Sequence, residues 1–199
     1  MIPAPAVDFY FGPGSRYSYL ASTQLDAIAA RTGARFRWRP VFSPDLFIAA
    51  GVDPFGGART GQYSSAYRDR DARRWAALYG VPYHDPALGL ESWRRIALAL
   101  VAAGDQAEPL ARAMFDACFA RNAPPTDDDG LCALAARVGI SDLRLDAPDL
   151  EARARAIIDE AAGAGVFGVP SFVTGGALFF GNDRLALLER HLQHAAQKA

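Results

Sequence analysis

Thiols, imidazoles and long apolar runs are all scarce in this chain, and each shortage removes a class of function. Only two cysteines and three histidines occur among its 199 residues. Cys118 and Cys132 have neither the C-x-x-C spacing of a redox pair nor the spacing of a zinc site. Each lies between apolar neighbours, so both are predicted to be buried and inert. His191 and His194, beside Leu188 and Leu192 near the C-terminal end, read as surface residues rather than as metal ligands or bases. No uninterrupted apolar stretch approaches the roughly 18 residues of a membrane span, and no basic segment followed by an apolar run opens the chain. A soluble, cytoplasmic protein is expected. A formal charge of −1 gives no general attraction to nucleic acid or to an anionic membrane. The local basic cluster of Arg31, Arg35, Arg37 and Arg39 reads as a solvated edge strand after a helix end. Repeats, low-complexity tracts and domain-separating linkers are also missing.

What is present is a half-apolar chain able to bury one full core. The start alternates β-α-β: Val7–Phe11 is rich in strand formers, Tyr19–Ala30 has helical spacing, and Ala34–Arg39 alternates Phe36 and Trp38 with arginines. Gly33 stops the intervening helix. After Pro40, Pro44 and Pro54, residues 61–162 read as successive helices without a strand. Trp93, Ile96 and Leu100 mark the buried face of one of them, and Leu185, Leu188 and Leu192 that of the last helix. Thr126 is expected to cap a helix whose first turn carries Asp127, Asp128 and Asp129. Consecutive acids on a helix cannot converge on one cation. The order is therefore α/β: β-α-β, helices, then β-β-α, with short strands predicted at Ser171–Thr174 and Ala177–Phe180.

Two local motifs remain. Gly12-Pro13-Gly14 turns the first strand into the first helix and places Ser15 and Ser18 at its start. Serine is a preferred N-cap, so Ser15 has a structural reading as well as a catalytic one. A serine hydrolase is disfavoured, because Pro13-Gly14-Ser15-Arg16-Tyr17 is not a G-x-S-x-G elbow and only His84, His191 and His194 are available as bases. Near the other end, Gly165-Val166-Phe167-Gly168-Val169-Pro170 precedes the short strands, and Gly181-Asn182-Asp183-Arg184 opens the last helix.

Together these motifs, with Asp8–Phe11 and Ser18-Tyr19-Leu20, resemble the 2-hydroxychromene-2-carboxylate isomerase family and the related kappa-class glutathione transferases. Tyr67, Asp71, Arg74, Trp75 and Ala76 also fit a helix of bacterial members. The resemblance implies a DsbA-like thioredoxin fold split by a large all-helical insertion, with residues 1–45 and 150–199 forming the thioredoxin-like part and 46–149 the insert. It implies glutathione as cofactor, an aromatic small-molecule substrate and a homodimer. Ser15 stands where the fold carries its first reactive cysteine, and would stabilise the glutathione thiolate. The Val169-Pro170 bond would be cis and would offer the backbone of Val169 to the cysteinyl unit. Asn182, Asp183 and Arg184 would meet the γ-glutamyl end, with Asp183 on its ammonium.

Four positions depart from the family pattern. Arg16 replaces the usual proline after the serine, and Gly12 stands where an acid is frequent. Asp53 is nearest to a glutathione-holding asparagine, and Thr60 replaces a lysine for which Arg59 is the substitute. Tyr17, Phe42 and Phe47 are candidates for the substrate pocket or for core. The expected activity is a glutathione-dependent isomerase of aromatic-compound catabolism. Its alternatives are a kappa-like transferase or peroxidase and a non-catalytic thioredoxin-like binding module. A dithiol oxidoreductase is excluded, since Ser15 and Ser18 cannot form a disulfide.

Overall fold

The computed structural model describes residues 4–53 and 64–198. Strand β1 (Ala6–Phe11) sits inside a four-stranded sheet of order β2-β1-β3-β4, parallel to β2 (Arg35–Pro40) and antiparallel to β3 (Ser171–Thr174), which pairs with β4 (Ala177–Phe180). Both predicted C-terminal strands form at their expected residues. The arginine-rich strand is the sheet edge: Arg35 is exposed, Arg37 pairs with Asp8, and Arg39 pairs with Glu160.

Side chains along β1 alternate between two cores, as the strand pleat requires. On one face Phe9 stacks on Phe172 at 5.1 Å and meets Trp38 edge-on at 5.0 Å, and Phe11 joins Trp38 at 5.4 Å. Such ring pairs add about 0.5–1.5 kcal/mol each beyond their area burial. On the other face Tyr10 packs with Val41, Leu46, Ile158, Ala161 and Val166.

The first helical segment divides into α1 (Arg16–Ser22) and α2 (Leu25–Thr32) rather than running unbroken through Tyr19–Ala30. Ser22 and Thr23 cause the break. Their hydroxyls donate to the carbonyls of Tyr19 and Leu20, both at 2.7 Å, and so compete with the helical ladder. Gly33, at φ 70°, closes α2 as expected.

Between β2 and β3 the regular elements of the described residues are helices, chiefly α3 (Ser43–Ala49), α4 (Ser65–Tyr79), α5 (Leu90–Ala102), α6 (Ala107–Phe115), α7 (Asp128–Arg137) and α8 (Leu150–Gly163). A π-helical turn, Asp116–Ala120, follows α6 and carries Phe119. This ring collects Tyr19 of α1 at 5.2 Å, Tyr83 at 6.4 Å and Trp93 of α5 at 6.0 Å, all nearly parallel to it. It thereby joins the helical segment to the start of α1.

Two local expectations are corrected. Asp127, not Thr126, caps α7, accepting from the Gly130 N–H at 2.8 Å. Cys132 is exposed, because α7 buries Leu131, Leu134 and Ala135 on the opposite side; only Cys118 is buried. Burial pushes the Cys118 thiol up to about 12. A 3-10 turn, Asn182–Arg184, leads into α9 (Leu185–Lys198), whose Leu185, Leu188 and Leu192 are buried as predicted. Among the described residues, no helix is long and apolar enough to cross a membrane.

Candidate active site

The turn from β1 to α1 is built by close approach. Ser15 N–H donates to Gly12 C=O at 3.0 Å, and Gly12 N–H reaches Ser18 Oγ at 3.4 Å. A Cβ on Gly12 would fall 2.3 Å from Ser43 Oγ and 3.2 Å from Val169 Cγ2. One on Gly14 would fall 2.8 Å from the Trp93 ring. The glycine at position 12 is therefore explained by neighbours: Ser43 of α3 fills the space that an acidic side chain would need.

Ser15 is the N-cap of α1, its Oγ accepting from Ser18 N–H at 3.2 Å. It is half-buried, whereas Ser18 is fully buried. Accepting that bond leaves the Ser15 hydroxyl proton free to donate outward. Ser18 serves the turn and is closed to solvent.

The Val169-Pro170 peptide is cis, as the family resemblance implied. The Val169 side chain lies against Gly12, so the two ends of the chain meet at Ser15. Pro170 C=O accepts from Gly181 N–H at 2.9 Å, linking this loop to the 3-10 turn. Among the described residues, the Val169 N–H and C=O take part in none of the turn or loop hydrogen bonds.

Asn182 is buried, and Tyr79 at the end of α4 donates to its Oδ1 at 3.2 Å. Its Nδ2 is buried without a partner. An unsatisfied buried donor costs about 1–3 kcal/mol, so this amide is poised for an acceptor. Asp183 instead pairs with Arg184 at 2.6 Å, both half-exposed. Surface pairs of this kind are worth about 0–1 kcal/mol and exchange readily.

Asp53 is exposed in the segment after α3, and Arg59 and Thr60 lie outside the described residues. Tyr17 is half-buried and donates to Asp71 of α4 at 2.9 Å; burial and this carboxylate push its phenol up to about 12, so it remains a donor. Phe42 lines a small crevice with Arg94, Glu151 and Ile158. His84 and His194 are exposed, and His191 is half-buried against the Phe179 ring at 5.3 Å.

Sequence reasoning missed Ser43 and Tyr79; Trp93 packs against the core as its stripe predicts and also lies against Gly14. Nothing in the local sequence signals that these residues converge, since the contacts span the helical segment.

This turn, with Ser15 and Ser18 at the start of α1, belongs to a thioredoxin fold. A DSBA-like thioredoxin domain matches residues 6–193, and the chain belongs to that family. Within it, the chain groups with the 2-hydroxychromene-2-carboxylate isomerases. It is 33% identical over 201 residues to the 2-hydroxychromene-2-carboxylate isomerase of Sphingobium xenophagum, covering 94% of this chain and 97% of that protein. It is 32% identical to that of Pseudomonas putida, covering 92% of each. A solved 2-hydroxychromene-2-carboxylate isomerase superimposes with a TM-score of 0.82 at 28% identity, over 97% of both chains.

Proposed function

We propose that this protein is a glutathione-dependent isomerase of the 2-hydroxychromene-2-carboxylate type, active in the cytoplasm as a homodimer in aromatic-compound catabolism. The observation that carries the reading is Ser15, half-exposed at the start of α1 and facing the cis Val169-Pro170 loop, with its hydroxyl proton uncommitted. When bound, glutathione supplies a thiolate that adds reversibly to the substrate and is returned, so none is consumed.

The chain's task is to favour that anion. An ordinary thiol of pKa about 8.5 is only a few per cent ionised at pH 7, and lowering it by about two units requires roughly 2.7 kcal/mol. The Ser15 O–H, donating to a charged acceptor, supplies about 1.5–3 kcal/mol. The first N–H groups of α1 add a smaller share, since the helix has only seven residues. Val169 would pair its backbone with the cysteinyl unit, and Asn182 Nδ2 would take the γ-glutamyl carboxylate. Asp183 would leave Arg184 for the ammonium. No basic side chain is needed at the sulfur.

The test is a glutathione titration followed by thiolate absorbance near about 240 nm, alongside turnover of 2-hydroxychromene-2-carboxylate. Wild type is expected to show a thiolate band at neutral pH. Ser15→Ala is expected to lose the band and at least about tenfold in turnover, since each 1.36 kcal/mol is tenfold in rate. Equal bands and equal turnover in the two proteins would remove Ser15 from catalysis. Absence of any glutathione signal in wild type would favour the non-catalytic binding module.

A further inference from the structure

Arg16, the residue that replaces the family's usual proline, is directed at the loop before α5. Its Nη2 donates to Asp85 Oδ2 at 2.8 Å. Its side chain is only 13% exposed, against 38% for that of Asp85. The second arm, Nη1, is buried and has no hydrogen-bond partner. Two residues before Asp85, the hydroxyl of Tyr83 is also buried without a partner, in a residue that is 8% exposed. Two donors thus stand unsatisfied close to the catalytic turn, one of them fully charged.

An orphaned guanidinium arm and an orphaned hydroxyl are each costly, and their shared need is an acceptor. The bond to Asp85, two residues on from Tyr83, brings the Arg16 guanidinium to the same loop, where its charge acts on the Tyr83 hydroxyl, while Arg73 lies over the Tyr83 ring at 5.6 Å. Burial holds the Tyr83 phenol well above its ordinary range, which keeps it a hydrogen-bond donor. The wall beside them is aromatic: Tyr83, Phe119 and Trp93 lie nearly parallel, at 6.4 and 6.0 Å, and Trp93 lies against Gly14. Arg16 follows Ser15 directly in the chain, so an anion held here would sit beside the reacting centre.

We propose that Arg16 and Tyr83 form the receptor for the carboxylate of an aromatic substrate, which Arg16 Nη1 and the Tyr83 hydroxyl bind while Asp85 fixes the guanidinium through Nη2. The aromatic body of the substrate lies toward Trp93 and Ser15. This deepens the isomerase reading and rests on it for the identity of the reaction. Arginine suits the role because its planar fork can serve two carboxylates at once, which a lysine cannot reproduce.

The discriminating measurement is calorimetric binding of 2-hydroxycinnamate and of its methyl ester to wild type, Tyr83→Phe and Arg16→Gln, each checked for folding by circular dichroism. Tyr83→Phe removes only an unpartnered hydroxyl, so a purely structural role would leave binding unchanged. The expected result is that wild type prefers the acid, that both variants weaken acid binding by about tenfold or more, and that the ester binds all three alike. Equal acid binding by wild type and Tyr83→Phe, or no preference for acid over ester in wild type, would overturn the proposal. Failure of the glutathione thiolate band in wild type would instead remove the isomerase reading, and the acid-to-ester comparison would still report on the receptor by itself.

Discussion

At the scale of single residues, the site depends on what is small. Gly12 is held bare by Ser43 and Val169, so Gly12→Ala forces Ser43 to rotate and is expected to cost about 1–3 kcal/mol in urea denaturation. Adding Ser43→Ala removes the closest atom. The double variant should recover part of that loss, and strict additivity of the two changes would count against the packing account. Ser15 and Asp183 are expected to separate in kinetics. On the proposed reading Asp183→Ala removes binding common to ground and transition states and is expected mainly to raise KM for glutathione, while Ser15→Ala is expected mainly to lower kcat. An unchanged glutathione KM in folded Asp183→Ala would leave Asp183 as a first-turn acid paired with Arg184.

Among elements, α4 links the start of α1 to the turn at Asn182, and α9 braces α2. Tyr17 ties α1 to α4 through Asp71, and Tyr79 ties α4 to Asn182. Arg31 of α2 clasps Glu189 of α9 with two hydrogen bonds, at 2.5 and 2.9 Å. This partner lowers the Glu189 carboxyl below its usual value of 4.5, chiefly by hydrogen bonding. A depressed folded-state pKa means the contribution is fully present above the unfolded value and is lost as pH falls through the folded one. Arg31 is 54% exposed, so the pair is screened by solvent and contributes little. Thermal denaturation of wild type and Arg31→Ala should therefore differ modestly near pH 7, and the gap should shrink as pH falls below the ordinary glutamate range of about 4.3. A gap that persists into acid would mean that Arg31 acts through packing.

For the whole molecule, Cys118 and Cys132 provide two probes of opposite exposure. A thiol reagent should modify one cysteine promptly in the native protein and the second only on unfolding. The rate at the second then measures opening of the core around Phe119. Prompt modification of both would place a local opening at the π-helical turn, below the cost of global unfolding. The same core explains how a helical segment remote in sequence roofs a turn at residue 15: Phe119 joins α1, the loop at Tyr83 and α5 in a single stack.

Strand alternation, the leucine stripe at 185, 188 and 192, and the serines that open α1 were determined by sequence alone, because each rests on local periodicity or residue type. So were the limits of β3 and β4, bounded by Pro170, Gly175-Gly176 and Gly181. Other features required the tertiary structure. Cys118 and Cys132 have the same kind of apolar flanks, and only the side on which each helix packs separates them. The division of α1 from α2 depends on where the Ser22 and Thr23 hydroxyls turn. The orphaned donors of Arg16, Tyr83 and Asn182 are visible only once their neighbours are in place, since a missing partner is a property of the surroundings and not of the residue.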